Sequence, residues 1–258
     1  MSRIAERFER LNRAGRKAFV GFLTAGDPSL DRTVEAASAL DAAGVDVLEL
    51  GVPFSDPLAD GPVIQRSSQR ALERGVTLGH VLEAVRRIRS RSVIPLLLFS
   101  YANPILRYGA ARLARDAREA GVDGALITDL PPEEAADWLA VARGADIDTV
   151  FLASPTSPDE RLRRVAQASR GFVYAISRTG VTGERDALSD DAKPLVGRLK
   201  ALTSTPVVLG FGLASPEQVA AAASVADGVV VGSALVRFLE EKPDGDVGAQ
   251  VRWLTSQM

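Results

Sequence analysis

The chain has 258 residues, 46% of them hydrophobic and 25% charged, which is the balance of a globular protein able to bury a sizeable core. Its 31 Lys and Arg against 33 Asp and Glu leave a net charge of −2, so no net field gathers it onto nucleic acid or an anionic membrane. With no cysteine and one histidine, His80, it lacks disulfides, thiolate zinc sites, thiol catalysis and multi-histidine metal sites, and no metal is expected.

From Met1 to Lys17, charges alternate with Ile4, Phe8 and Leu11 at helical spacing, predicting an amphipathic helix rather than the unbroken apolar stretch of a signal peptide. Eight runs rich in Val, Ile, Leu and Phe follow: Ala18–Leu23, Val45–Leu50, Ile94–Phe99, Gly124–Thr128, Thr149–Ala153, Phe172–Ile176, Pro206–Leu209 and Gly228–Val231. The longest strongly apolar run, Ile94–Phe99, is far short of the roughly 20 residues that cross a bilayer, so no membrane association and a cytoplasmic location are expected. Between the runs lie Ala- and Arg-rich stretches of helical period, among them Leu30–Ala43, Leu78–Ile88, Arg112–Ala120, Glu133–Ala142 and Glu160–Ala168. Ser157-Pro158-Asp159-Glu160 and Ser215-Pro216-Glu217-Gln218 read as capping boxes. The strands read as parallel ones covered on both faces. Eight βα units in this length predict an α/β fold, a (β/α)₈ TIM barrel with an extra N-terminal helix, as a single domain over residues 1–258. A doubly wound open sheet would need a GxGxxG-like turn, which Gly21 to Gly26 does not supply.

In a barrel, function collects at the C-terminal ends of the strands. After the sixth, seventh and eighth runs come Ser177-Arg178-Thr179-Gly180-Val181-Thr182-Gly183, Gly210-Phe211-Gly212 and Gly232-Ser233, the last opening a short helix. Glycine lets backbone N–H groups approach an anion, and a helix N-terminus adds a favourable dipole, so the three loops could hold a phosphate without lysine; equally, such loops need glycine simply to turn. At the end of the second run, period-two geometry puts Glu49 on the side of Val45 and Val47, inside the barrel, where desolvation would raise its pKa toward neutrality. A structural pairing with an Arg across the barrel is the competing reading. The following loop adds Asp56 and Asp60, either of which could be a turn or cap residue or the second acid of an acid/base pair. None of the four lysines, Lys17, Lys193, Lys200 and Lys242, ends a predicted strand, which disfavours Schiff-base chemistry. His80, near a helix start, reads as a surface or capping residue.

These residues resemble the α subunit family of tryptophan synthase. The resemblance runs over nearly the whole chain: Phe22 to Pro28, Glu49 to Pro62, Tyr101-Ala102-Asn103-Pro104, Asp129-Leu130-Pro131, Ser177 to Gly183, Gly210-Phe211-Gly212 and Gly232-Ser233-Ala234. It implies retro-aldol cleavage of indole-3-glycerol phosphate to indole and glyceraldehyde 3-phosphate. By this resemblance Glu49 and Asp60 are the catalytic pair, Asp60 hydrogen-bonding the indole N–H and Glu49 moving protons between the glycerol hydroxyl and the ring carbon. Phosphate would rest on Gly183, Gly212, Gly232 and Ser233, and indole against Phe22, Leu126, Leu152, Tyr174 and Phe211, with Tyr101 beside the reacting groups. The family implies a β-subunit partner in an α₂β₂ heterotetramer, contacted around Asp56, Pro57, Asn103 and Pro104. It implies no cofactor in this chain, pyridoxal phosphate belonging to the β subunit. Phe99 and Thr128 depart from the residues more common in the family and bear on the shape of the indole pocket. The segment Arg178–Leu188 is a candidate lid. Of the rivals, indole-glycerol-phosphate synthase would want a lysine at a strand end, and phosphoribosylanthranilate isomerase a Cys and Asp pair. The remaining alternative is a catalytically silent phospho-ligand-binding subunit that regulates a partner enzyme.

Overall fold

A computed structural model describes residues 2–176, 191–210 and 212–258. Its strands are β1 (Ala18–Thr24), β2 (Val47–Gly51), β3 (Leu96–Ser100), β4 (Gly124–Ile127), β5 (Asp148–Val150), β6 (Leu152–Ala153), β7 (Val173–Ile176), β8 (Val207–Gly210) and β9 (Gly228–Val231). All pair in parallel, in the order β5-β4-β3-β2-β1-β9-β8-β7-β6. The two outermost segments are the halves of the predicted fifth strand, joined through Phe151, whose carbonyl accepts the Tyr174 N–H at 3.1 Å. The chain itself therefore joins the two edges of the sheet, and the strands close into the (β/α)₈ barrel.

Alternation along the strands sorts the side chains into two cores. One face turns Leu48, Leu50, Leu96, Leu98, Val207 and Leu209 toward the surrounding helices. The other turns Val20, Val47, Leu97, Leu126, Val150, Tyr174, Val208 and Val230 into the barrel. Val45, expected beside Val47 and Glu49, instead belongs to the outer core, because β2 begins only at Val47 and the alternation does not extend back to it.

The amphipathic N-terminal helix, Arg3–Arg13, is capped by the Ser2 hydroxyl, which accepts the Ala5 N–H at 3.2 Å. It buries Ile4, Phe8 and Leu11 against the inner core, Phe8 meeting Phe172 at a ring separation of 5.8 Å. Three polar links fasten it to carboxylates at the bases of three strands: Ser2 to Asp148, Arg3 to Asp123 at 2.7 Å, and Arg7 to Asp46 at 3.2 Å. Asp46 and Asp123 also accept the N–H groups of Phe19 at 3.0 Å and Leu96 at 2.8 Å, so each is satisfied from two sides. The N-terminal mouth of the barrel is thus closed, leaving the other mouth for a ligand.

Ser215 and Gln218 form the expected capping box on the helix Pro216–Val225. The box expected at Ser157 does not form: the helix Asp159–Ala168 starts from Pro158, with no side-chain cap. Arg198 holds this entry segment instead, donating to the Ser157 carbonyl at 2.7 Å and to Asp159, while Glu160 turns to Arg164 at 2.6 Å. The helix expected over Glu133–Ala142 is divided into a 3₁₀ turn, Pro132–Glu134, and a helix, Ala136–Gly144. His80 completes a capping box with Thr77, its ring Nδ1 accepting the Thr77 N–H at 3.3 Å. Among the described residues no helix is long and apolar enough to cross a membrane.

Because the N-terminal helix fills the barrel base through few large side chains, Phe8→Ala is expected to cost about 3–5 kcal/mol of stability. Urea unfolding checks this, and an unchanged midpoint would show that the helix is not integral to the core.

Candidate active site

The inward positions of β1 and β2 bring Phe22 and Glu49 side by side in register, and Glu49 faces Leu97 across to β3. Glu49 is 1% exposed, and its Oε1 has no hydrogen-bond partner. Burial among hydrocarbon pushes its carboxyl up to about 8, because nothing in the apolar interior replaces the water that would solvate the anion. The alternative of an Arg pairing across the barrel does not occur among the described residues.

Asp60 arrives from the loop after β2. The helix Pro62–Glu73 begins two residues beyond it, with Gly61 as N-cap and Pro62 at the first position, where a missing N–H costs nothing. The loop is fastened by the Asp60 N–H to the Pro57 carbonyl at 3.2 Å, by the Asp60 carbonyl accepting Gln65 Nε2 at 2.7 Å, and by the Ala59 N–H donating to the Tyr101 hydroxyl at 3.1 Å. Asp60 is 4% exposed and its Oδ1 lacks a partner. Burial lifts its carboxyl to about 6, a rise moderated by the Tyr101 hydroxyl that donates to it. Asp56, by contrast, is exposed and bonded to its neighbour Ser55 at 2.5 Å. Of the two loop acids, Asp60 is the one that faces Glu49.

Both carboxyls open on one cavity of about 790 Å³, its mouth included. That Glu49 and Asp60 converge is also seen at Tyr174, whose hydroxyl is pushed well above its usual pKa first by burial and then by the fields of both acids. Much of the cavity wall is apolar, with Phe22, Leu152 and Tyr174 on it. Sequence reasoning did not assign Ile64, Ile176, Leu213 and Val230, which also line it. Ile176 follows Tyr174 by two on β7, so strand alternation was the signal that could have found it. Phe99 and Thr128 line the cavity as well, Phe99 standing edge-on to Phe22 at 5.3 Å and 79°. Leu126 lies in the inner core without lining the cavity, whereas its register partner on β3, Phe99, lines it. Tyr101 is likewise off the wall, buried against Phe54 with its ring 5.2 Å away, and acts on the site through Asp60 and Ala59. Two glycines leave room for the aromatic walls: a Cβ at Gly51 would meet Phe22 Cζ at 2.5 Å, and one at Gly210 would meet Tyr174 Cζ at 2.7 Å.

The wall also carries Gly212, Gly232 and Ser233. Gly212 has φ +84°, a conformation that favours glycine. Gly232 is the N-cap of the helix Ser233–Glu241 and makes no side-chain cap, so the first backbone N–H groups of the helix lack a capping side chain at its positive dipole end, where Gly232 and Ser233 line the cavity. Among the described residues no lysine lines the cavity; Lys17 and Lys200 pair with Asp227 at the barrel base, and Lys242 lies over the Phe238 ring. Gly183, Phe211 and the Arg178–Leu188 segment lie outside the described residues. Asn103 is exposed and Pro57 and Pro104 half-buried, around the same mouth as Asp56.

A model of the family "Tryptophan synthase alpha chain" matches residues 8–257. A tryptophan synthase alpha chain of Solibacter usitatus is 52% identical over 244 residues, covering 95% of this chain and 91% of that protein. One of Geobacter sulfurreducens is 49% identical over 258 residues, covering 100% and 98%. Among solved structures, a chain of Mycobacterium tuberculosis tryptophan synthase superposes with a TM-score of 0.93 at 42% identity, covering 99% of this chain and 98% of that one. The subunit alpha of Legionella pneumophila tryptophan synthase does so with a TM-score of 0.89 at 36% identity, covering 100% and 97%. With matches of this extent in sequence and in shape, the chain belongs to the tryptophan synthase alpha chain family.

Proposed function

We propose that the cavity cleaves indole-3-glycerol phosphate to indole and glyceraldehyde 3-phosphate, with Glu49 as the acid and base that moves the protons and Asp60 as the anion that steadies the ring nitrogen. The observation that carries this reading is a pair of buried carboxyls, each with an unpartnered oxygen, on the wall of one cavity. With pKa values near 8 and 6, Glu49 is mostly protonated and Asp60 mostly ionised at neutral pH. Glu49 can therefore deliver a proton to C3 of the indole while the Asp60 carboxylate accepts a hydrogen bond from the N–H that becomes cationic. The Glu49 carboxylate so formed takes the proton of the hydroxyl on the side-chain carbon attached to C3. That carbon becomes the aldehyde carbonyl, the C–C bond breaks, and its electron pair returns to the ring, leaving indole and a protonated Glu49. The apolar wall of Phe22, Leu152 and Tyr174 suits the indole. The backbone N–H groups at Gly232 and Ser233, with Gly212 on the same cavity wall, suit the phosphate, and the family resemblance adds Gly183.

The mouth also fits a protein partner. Leu58 and Leu106 are 84% and 72% exposed, in the segments that carry Asp56, Pro57, Asn103 and Pro104. Such exposed apolar side chains beside an active-site opening suit docking of a β subunit, in an α₂β₂ assembly of the cytoplasm whose β chain holds pyridoxal phosphate. None of the four lysines of this chain is placed to hold that cofactor in the cavity. A silent regulatory subunit would have no use for two unpartnered acids, which disfavours that reading.

The dependence of kcat/KM on pH, followed by indole release, is expected to be bell-shaped with limbs near 6 and 8 that belong to the pair of acids together. A flat profile across that interval would remove the assignment. Glu49→Gln is expected to lower kcat by about 10²–10⁴. The same variant tests the buried acid through stability. The unfolded chain releases the Glu49 proton near 4.5 and the folded chain only near 8, so the folded form binds more protons in between and loses stability as pH rises through that window. At about pH 9 Glu49→Gln should be the more stable protein in urea, the gap growing by at most about 1.4 kcal/mol per pH unit across the window and vanishing in mild acid.

A further inference from the structure

The helices that follow Asp60 and Gly232, both on the cavity wall, are tied together behind it. Arg70, on the helix Pro62–Glu73 that follows Asp60, places its guanidinium fork on Asp27, Nε on Oδ1 at 2.9 Å and Nη2 on Oδ2 at 2.6 Å. Its remaining Nη1 donates to Glu240 at 2.7 Å. Asp27 sits in the loop after β1, the strand of Phe22, with its side chain 6% exposed, and accepts a further bond from Ser67 at 2.7 Å. Glu240 lies near the end of the helix Ser233–Glu241, whose first turn faces the phosphate end of the cavity. Arg66 adds a second fork onto Glu240, at 3.0 and 2.9 Å. Between this latch and the cavity, Val63 and Ile64 of one helix pack with Val236 of the other and with Phe22.

Each helix is thus held at two levels, by apolar packing next to the cavity and by Arg70 one to two turns behind it. Asp60 leads one helix by two residues, and Gly232 caps the other. We infer that Arg70 is a positioning residue, which fixes the distance and angle between the Asp60 carboxylate and the phosphate-holding helix end and so matches the site to the length of one substrate. This rests on the proposed assignment of Asp60 and Gly232-Ser233. A guanidinium is required because one planar group must grip Asp27 through two nitrogens and present a third to Glu240; an ammonium is a single compact donor group and does not reproduce that fork. The charge network around Glu240 supports the geometry: Arg66 first, and then Arg70, hold its carboxyl down at about 2.

Positioning has a signature that simple loss of structure lacks. A ligand that touches one end of the cavity does not sense the spacing, whereas one that must reach both ends does. In Arg70→Lys, affinities for indole alone and for glycerol 3-phosphate alone, measured by calorimetry, are expected to stay within about twofold of wild type, while kcat/KM for indole-3-glycerol phosphate falls about tenfold or more, chiefly in kcat. Unchanged kcat/KM would overturn the inference, and so would a drop matched by an equal loss of affinity for either fragment. Should Arg70→Lys fail to fold, Glu240→Gln, which weakens the outer half of the latch and leaves the Asp27 pair intact, decides the matter. It is expected to reduce kcat/KM about threefold with both fragment affinities retained, and full activity would overturn the role. If the wild-type protein released no indole, the functional reading itself would fall; a fully active Arg70→Lys protein would remove the positioning role alone.

Discussion

A carboxyl group held in hydrocarbon without a partner is the constraint around which the molecule is arranged. Burial keeps the Glu49 carboxyl from bulk water, and among the described residues no arginine pairs with it, so the neutral acid persists into the pH range where most carboxyls have ionised. That state is useful only if the group can gain and lose its proton in front of a substrate, which requires a cavity rather than a filled core at this level. The barrel meets the requirement by ending its packed layers at Leu97, Leu126 and Val208 and leaving Phe22, Glu49, Leu152 and Tyr174 to line space above them.

The same molecule shows what buried acids look like when they serve structure. Asp46, Asp123 and Asp148 are as inaccessible as Asp60, yet each has its hydrogen bonds: with backbone N–H groups, with Arg3, Arg7 and Arg89, or with Ser2. Asp27 is likewise surrounded by Ser67 and Arg70. Glu49 and Asp60 are the buried carboxylates that retain an unpartnered oxygen among the described residues. Each such oxygen costs stability that a structural role would not justify. Satisfied acids thus occur at the plugged base and, as Asp27, beside the open mouth, whereas the two with an unpartnered oxygen line the cavity.

Much of this arrangement is legible in the residues themselves. Continuous apolar runs separated by helical stretches give the barrel, because parallel strands covered on both faces leave no polar side to alternate with. The inward direction of Glu49 follows from its spacing to Val47, and the plug follows from Ile4, Phe8 and Leu11 at helical intervals. What is less legible depends on partners distant in sequence. The helix Pro62–Glu73 buries Ser67 and Ser68 along with Val63, Ile64 and Ala71, so its apolar stripe is broken by residues whose inward direction makes sense only once Asp27 is in place. The Ser157 box looks complete in sequence and is pre-empted by Arg198, which approaches from another helix. Physics of the local sequence also left Asp56 and Asp60 equivalent. The tertiary contact of Tyr101 with Ala59 separates them, drawing one acid under the roof of the loop and leaving the other in solvent.

The distribution of rigidity follows from the chemistry. A retro-aldol cleavage needs three elements in fixed relation, a proton carrier, a counter-charge for the ring nitrogen, and an anchor for the phosphate, and each comes from a different kind of support. Glu49 is carried by a central strand and cannot move without disturbing its neighbours on β1 and β3. Asp60 and the proposed phosphate cradle sit at the starts of helices, which tilt and slide more readily than strands that are hydrogen-bonded on both sides. It is there that the fold places its ionic bracing: Asp27, Arg66, Arg70 and Glu240 link the two helices, while Glu49 has, among the described residues, no polar partner that would fix its charge. Charged groups are paired where the framework must be stiff and unpaired where a proton must move, and both arrangements are built from the same few residue types.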